Sequence, residues 1–241
     1  MPDPDASDSR LTRSEPAIVR LLAAPGGVPL LSAPASVGLL AVSRWSALRW
    51  LARGTVPPDL GYSAGASHTL QWLQVLLLGY LFGVYGLALA HWQRPRRSVR
   101  GLAWSAVALA VLATALVPAD SSDVLEYIGF GRLVSVYHVN PYLHTYAEFS
   151  DRFAPAVTWN EPMPYGPVVL PFFAAAGAVS SHSVLLALYG MKLVWLLVHL
   201  LSAWLIYRLA GALTRAPAYA LFIYAFNPLV LLELPGNGHN D

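Results

Sequence analysis

Cysteine is absent from the chain. That removes disulfides, thiolate metal sites and cysteine nucleophiles, and leaves the redox compartment unstated. Charge is scarce: 12% of the 241 residues are Asp, Glu, Lys or Arg, about half the ~25% of a soluble domain. Lysine is nearly missing, with Lys192 alone against fourteen arginines. The net charge of +2 is too small to point to nucleic acid. No glycine-rich strand-to-helix turn cradles a nucleotide, and no soluble domain is present to hold a nucleotide sugar. A short basic-then-apolar leader is missing too. The opening "MPDPDASDSRLTRSEPAIVR" is polar and acidic, and residues 1–24 read as a disordered cytoplasmic tail.

What is abundant is apolar sequence: 56% hydrophobic residues and a mean hydropathy of +0.51. A spanning helix needs roughly 20 apolar residues, and residues 69–91, 101–117, 183–207 and 216–234 qualify. Residues 25–43 are long enough but carry Pro29, Pro34 and several serines, a weak span. Residues 166–180, "GPVVLPFFAAAGAVS", are short and interrupted by Pro171, which suits an interfacial or re-entrant element. The expected fold is all-α: a polytopic membrane helix bundle with a large external loop, residues 118–182, holding interfacial helices.

Orientation follows from the arginines. "QRPRRSVR" places Arg94, Arg96, Arg97 and Arg100 in one loop, which is therefore cytoplasmic. The span at 101–117 then runs outward and delivers six acids to the external side. "RLAGALTR", with Arg208 and Arg215, is cytoplasmic again, so parity keeps 166–180 from spanning. The last span returns outward, and "GNGHND" emerges on the face of Asp120 and Asp123. The segment "RWSALRWLAR" departs from this rule and reads as an interfacial helix with snorkelling arginines.

Asp120, Asp123 and Glu126 crowd the mouth of the third strong apolar run's predecessor, in "PADSSDVLEY". Asp123, Glu126 and Tyr127 share one helical face at i, i+3 and i+4. "DVLE" has the form of a capping box, worth about 1 kcal/mol. The chemical reading is a carboxylate that takes a proton from an acceptor hydroxyl, or holds a cation against a phosphate. The two uses are compatible. Which of Asp120 and Asp123 acts is left open; so is a divalent cation, and no other cofactor is implied.

Downstream, "EYIGFGRLVSVYHVNPYLHTY" reads as an interfacial helix with Tyr127, Phe130, Tyr137 and Tyr142 at headgroup depth. Gly129 and Gly131 weaken the helix and permit close approach of another chain or a ligand. His138 and His144 are interface histidines or, less simply, metal ligands. Lys192 stands inside an apolar span, where a charge marks a functional candidate; it is expected to snorkel outward to a carboxylate or a lipid phosphate. His199 reads as packed, and Glu233 as facing water.

Three segments in order, "DSSDVLEYIGFGRLVSVYHVNPY", "YGPVVLPFF" and "NPLVLLELPGNGHND", resemble the front half of polyprenol-phosphate-mannose-dependent mannosyltransferases of the GT-C type, nearest the bacterial alpha-1,6-mannosyltransferases. Asp123 and Tyr127 match that family's acid-x-x-x-Tyr element. Gly131, Arg132, Leu133, Asn140, Pro141 and Tyr142 match the next element. Tyr165, Gly166 and Pro167 follow, with Val168 where Leu is usual. Asn227, Pro228, Leu229, His239, Asn240 and Asp241 match the last.

The resemblance implies an inverting membrane glycosyltransferase with a loop aspartate, Asp123 or Asp120, as base. The donor would be a polyprenyl-phosphate sugar, read as mannose, and the acceptor a lipid-linked or cell-envelope glycan on the external face of the plasma membrane. Glu126, Tyr127, Arg132, Tyr142, Tyr165, Lys192, Asn237, His239, Asn240 and Asp241 are the expected substrate-binding residues. Arg132 or Lys192 would offset charge on the leaving phosphate, and the exposed amides of "GNGHND" would shape the pocket. Family members have more spans than fit here, so the chain reads as the front part of a longer protein. The competing classes are a transporter or flippase-like permease with Lys192 and Asp123 as coupling charges, and an inactive membrane fragment.

Overall fold

The computed structural model describes residues 16–23, 27–51, 68–92, 99–118, 121–151, 153–214 and 216–240. Asp120 and Asp241 lie outside them, as do Arg94, Arg96, Arg97 and Arg215. Among the described residues every regular element is helical: α1 Ala17–Ala23, α2 Gly27–Leu51, α3 His68–Ala90, α4 Val99–Thr114, α5 Asp123–Ser135, α6 Leu170–Ser180, α7 Val184–Leu213, α8 Pro217–Ala225 and α9 Pro228–Leu231. Single 3-10 turns sit at Tyr146–Glu148 and Ala154–Ala156, and a π-helical turn at Leu232–Asn237 closes the order.

Two helices, α3 and α7, are long and apolar enough to cross a membrane. Their outward faces suit lipid: Trp72, Leu76, Leu186, Leu197, Trp204 and Leu209 are exposed hydrophobics on these two helices. The α4 helix, within the segment expected to span, has 16 residues. At 1.5 Å per residue it is about 24 Å long, short of the ~30 Å hydrocarbon core. The last expected span is not straight. Residues Pro217–Ala225 and Pro228–Asn237 are bent by 54°, because Pro228 cannot continue the α8 hydrogen-bond ladder. Asn227 restarts the helix instead, its side chain accepting from Leu229 N at 3.0 Å.

Two apolar cores result. One packs the bundle, with Val84, Ala88, Ala106, Leu109, Ala203 and Phe222 among its members. The other belongs to the long loop, which is a folded lobe rather than a set of surface helices. Phe130, Phe153, Phe173 and Met191 are among its buried members. The α5 helix is buried from Val124 through Leu133, so Tyr127 and Phe130 are core residues, not headgroup anchors. The helix also ends at Ser135, before Tyr137 and Tyr142.

Glycine makes that burial possible. A Cβ on Gly131 would overlap the carbonyl of Phe173, and one on Gly177 would overlap the backbone of Gly131 and Arg132. The α5 and α6 backbones therefore touch directly, the close approach expected at Gly131. Pro171 starts α6 rather than breaking it, lying in its first turn where no N–H bond is lost. Replacing Gly131 by Ala should push α5 and α6 apart and destabilise the lobe by about 3 kcal/mol, at the upper end of overpacking costs; thermal unfolding in detergent, followed by tryptophan fluorescence, measures it.

Candidate active site

The helix α5 starts at Asp123, and its capping is not what "DVLE" suggests. Ser122 occupies the cap position without a side-chain bond. Ser121 Oγ accepts from Asp123 N at 3.1 Å instead. With the cap role vacated, both acids point elsewhere. Glu126 is fully buried. Its Oε1 accepts from Thr158 N at 2.7 Å and Thr158 Oγ1 at 2.8 Å, and its Oε2 from Trp159 N at 3.2 Å. Burial pushes this carboxyl up from its ordinary value, and Asp123 adds to the rise against the pull of the Thr158 and Trp159 donors.

Asp123 reaches across the molecule to the closing motif. Its Oδ2 is in hydrogen-bond contact with Nε2 of His239. On the far side of the imidazole, Glu233 Oε2 stands 3.8 Å from Nδ1, within ion-pair range. Four residues along α5 from Asp123, the Tyr127 hydroxyl donates to Asn240 Oδ1 at 2.7 Å. The Tyr127 ring stacks on Phe173 at 4.9 Å and meets the edge of Tyr165 at 5.3 Å. Burial raises the Tyr127 phenol far above its ordinary value, so the hydroxyl keeps its proton. Asn237 is buried, with Nδ2 donating to Glu233 Oε2 at 3.4 Å.

The chain reaches this position through a reversal. The π-helical turn Leu232–Asn237 contains Pro235 and ends at Gly238 with φ +76°, left-handed backbone that favours glycine. A Cβ there would also lie 3.2 Å from Lys192 Cγ and 3.4 Å from Val124 Cγ2. The amides of Gly238 and His239 donate to Leu234 O at 3.1 Å and Glu233 O at 2.9 Å. These two amides of "GNGHND" are therefore taken by the chain itself. The side chains of Asp123 and His239 remain 21% and 22% exposed, enough for an incoming hydroxyl to reach them.

Asp123, Tyr127, Tyr165, Asn237, His239 and Asn240 thus gather at one place, with Glu233, read from the sequence as facing water, among them. A lone acid six residues before a histidine is the signal in the sequence that could have found it. Lys192 is close but does not snorkel. It is fully buried, Nζ donates to Leu116 O, and the ammonium lies 5.5 Å from the Tyr189 ring centroid. Tyr142 packs against the lobe core in the turn after Pro141, its hydroxyl buried without a partner among the described residues. His144 pairs with Glu148 at 2.8 Å, and His138 has left-handed backbone with φ 56°. Among the described residues no three His, Asp or Glu side chains form a set that could hold a metal ion.

Residues 26–241 match the family described as "Alpha-(1->6)-mannopyranosyltransferase, N-terminal domain". The chain belongs to this family. The matched region takes in every residue of the cluster just described. Alpha-(1->6)-mannopyranosyltransferase B of Corynebacterium glutamicum is 28% identical over 90 residues, a stretch covering 37% of this chain and 15% of that relative. The chain therefore matches only a small part of the relative's length. No solved structure matches.

Arg132, a family-motif residue expected to meet substrate, is instead the hub of the lobe. It lies nine residues along α5 from Asp123, about 14 Å away along the helix axis. Its Nε donates to Tyr146 Oη at 2.8 Å, Nη1 to Ser180 Oγ at 2.9 Å and Nη2 to Asp151 Oδ2 at 2.5 Å. Asp151 also accepts from Tyr137 Oη at 2.6 Å and from Phe153 N at 2.8 Å. An aspartate two residues before its backbone donor is a turn signal, present here in "FSDRF". Burial alone would raise the Asp151 carboxyl, but the Tyr137 and Arg132 donors bring it down from 3.8 to about 2.

A carboxyl lowered on folding contributes stability that is complete above its unfolded value and lost as the pH falls through its folded one. The lobe should hold its stability above pH 3.8 and lose the Asp151 contribution as the pH approaches 2. Asp151→Asn should flatten that acid limb and lower stability at neutral pH by about 3 kcal/mol, since Arg132 loses its charge partner. Tryptophan fluorescence melts across the pH range measure both.

Proposed function

We propose that the protein is a membrane-embedded mannosyltransferase that moves mannose from a polyprenyl-phosphate donor to a hydroxyl of a lipid-linked or cell-envelope glycan. The observation that carries the reading is the contact between Asp123 and His239. It joins a loop acid to a motif 116 residues away, at the edge of apolar helices, in a chain of this family.

In this reading Asp123 is the base. His239 holds Oδ2, leaving Oδ1 for the acceptor hydroxyl. As the acceptor oxygen bonds to the anomeric carbon, its proton passes to Asp123. The bond from that carbon to the phosphate oxygen breaks, its electron pair leaving with the polyprenyl phosphate, and the anomeric configuration inverts. Glu233 orients the imidazole from its other side, the logic by which an acid fixes a catalytic histidine. Tyr127 and Asn240 set the position of the closing motif against α5. Arg132 donates to Tyr146, Ser180 and Asp151 and Lys192 to Leu116 O, so neither is assigned to the leaving phosphate. The arginine-rich loops support an external site, with donor entry from the bilayer and the acceptor arriving from outside.

The test is mannosyl transfer from radiolabelled polyprenyl-phosphate mannose in membranes carrying the full gene product. Asp123→Asn preserves shape and should cut transfer by about 100-fold or more, the range of a lost general base, with the thermal midpoint unchanged. Glu233→Gln should cost about tenfold, as an orienting group one shell removed. Full transfer by Asp123→Asn would end the reading of that residue as base.

A further inference from the structure

We propose that Lys192, with Tyr189, is a positioning residue: it clamps the chain where it leaves α4 and seats the glycine beside His239, so that Asp123 and His239 meet. This rests on Asp123 as the base and goes beyond it, because Lys192 touches neither acid nor sugar in the arrangement described.

Helix α4 ends at Thr114, and its last carbonyls have no partners within the helix. Two of the carbonyls that follow are taken by α7. The Tyr189 hydroxyl donates to Ala115 O at 3.2 Å, and Lys192 Nζ donates to Leu116 O. The donors are three residues apart, hence on one face of α7, and their targets are adjacent. A cation at a helix C-terminus also complements the helix dipole. The clamped chain continues through Val117, 5% exposed, and Asp123 follows seven residues after Leu116.

The stem of the same lysine forms the floor of the closing motif. A Cβ on Gly238 would lie 3.2 Å from Lys192 Cγ and 3.4 Å from Val124 Cγ2. Val124 follows Asp123, and Gly238 precedes His239. One side chain therefore fixes both strands that carry the pair, its nitrogen through the approach to Asp123 and its methylenes through the approach to His239. Lysine combines that reach with a terminal donor on one flexible stem.

The chain has no cysteine, so one introduced at Val117 is read against the same full gene product without it, which sets the background. In membranes carrying the full gene product, Val117→Cys should react slowly with a water-soluble maleimide. Adding Lys192→Met, an uncharged chain of similar length, should raise the rate about tenfold, and adding Tyr189→Phe about threefold, as expected of local opening after loss of one hydrogen bond. Ala88→Cys, in the bundle core and 0% exposed, should stay unlabelled in both backgrounds. Lys192→Met should also lower kcat for mannosyl transfer by about 100-fold, the cost of misplacing a reacting group, with KM for the donor unchanged.

An unchanged Val117→Cys rate in Lys192→Met overturns the clamp, whatever transfer does. So does a parallel rise at Ala88→Cys, which would mean general loosening. A raised donor KM with kcat and labelling intact would make Lys192 a phosphate ligand instead. If Lys192→Met does not accumulate, Tyr189→Phe decides, its rise in labelling supporting the clamp and its absence overturning it. Lack of transfer by the wild type would remove Asp123 as base while the labelling still judged the clamp.

Discussion

From Val124 to Leu133 every residue of α5 is buried, and a glutamate, a tyrosine and an arginine are among them. Burying such groups without partners costs several kcal/mol each, so the surrounding loop is arranged to supply them. Glu126 takes its donors from Thr158 and Trp159, Arg132 takes acceptors from Asp151, Tyr146 and Ser180, and Tyr127 finds Asn240 from the far end of the chain. The lobe holds its shape because its central helix leaves it little choice. The direct backbone contact at Gly131 and Gly177 is what brings α6 close enough for Ser180 to reach Arg132.

The two ends of α5 serve different purposes. At its C-terminal end Arg132 is only 6% exposed and is held by Tyr146, Ser180 and Asp151, an arrangement for rigidity. At its N-terminal end Asp123 and His239 meet while staying about a fifth exposed. A reacting group needs a fixed position and an open approach at once, and the helix joins the rigid part to the accessible one.

The apolar bundle contributes through two irregularities. The bend at Asn227–Pro228 and the π-helical turn after it bring the chain back over α5 instead of continuing straight. Lys192, inside a span where a charge costs about 2.5–3.5 kcal/mol on insertion scales, is tolerated because its nitrogen meets the carbonyl of Leu116 just past the end of α4. Both are departures from a uniform apolar helix, and both lie beside the Asp123–His239 contact.

The membrane character, the all-helical fold, the spans near α3 and α7, and the resemblance to the mannosyltransferase family were legible in the sequence, because hydropathy and ordered short motifs are local properties. The approach of "GNGHND" to Asp123 followed from counting spans. Other features were not legible. "DVLE" looks like a capping box whether or not its acids turn away to Thr158 and His239. Arg132 looks like a phosphate ligand until Asp151 and Tyr146 are seen around it, and Glu233 looks like a water-facing end until the chain folds back at Pro228. Composition and periodicity tell which residues leave water. Which polar partner each buried group receives is a contact between segments far apart in the chain, and only the tertiary structure decides it.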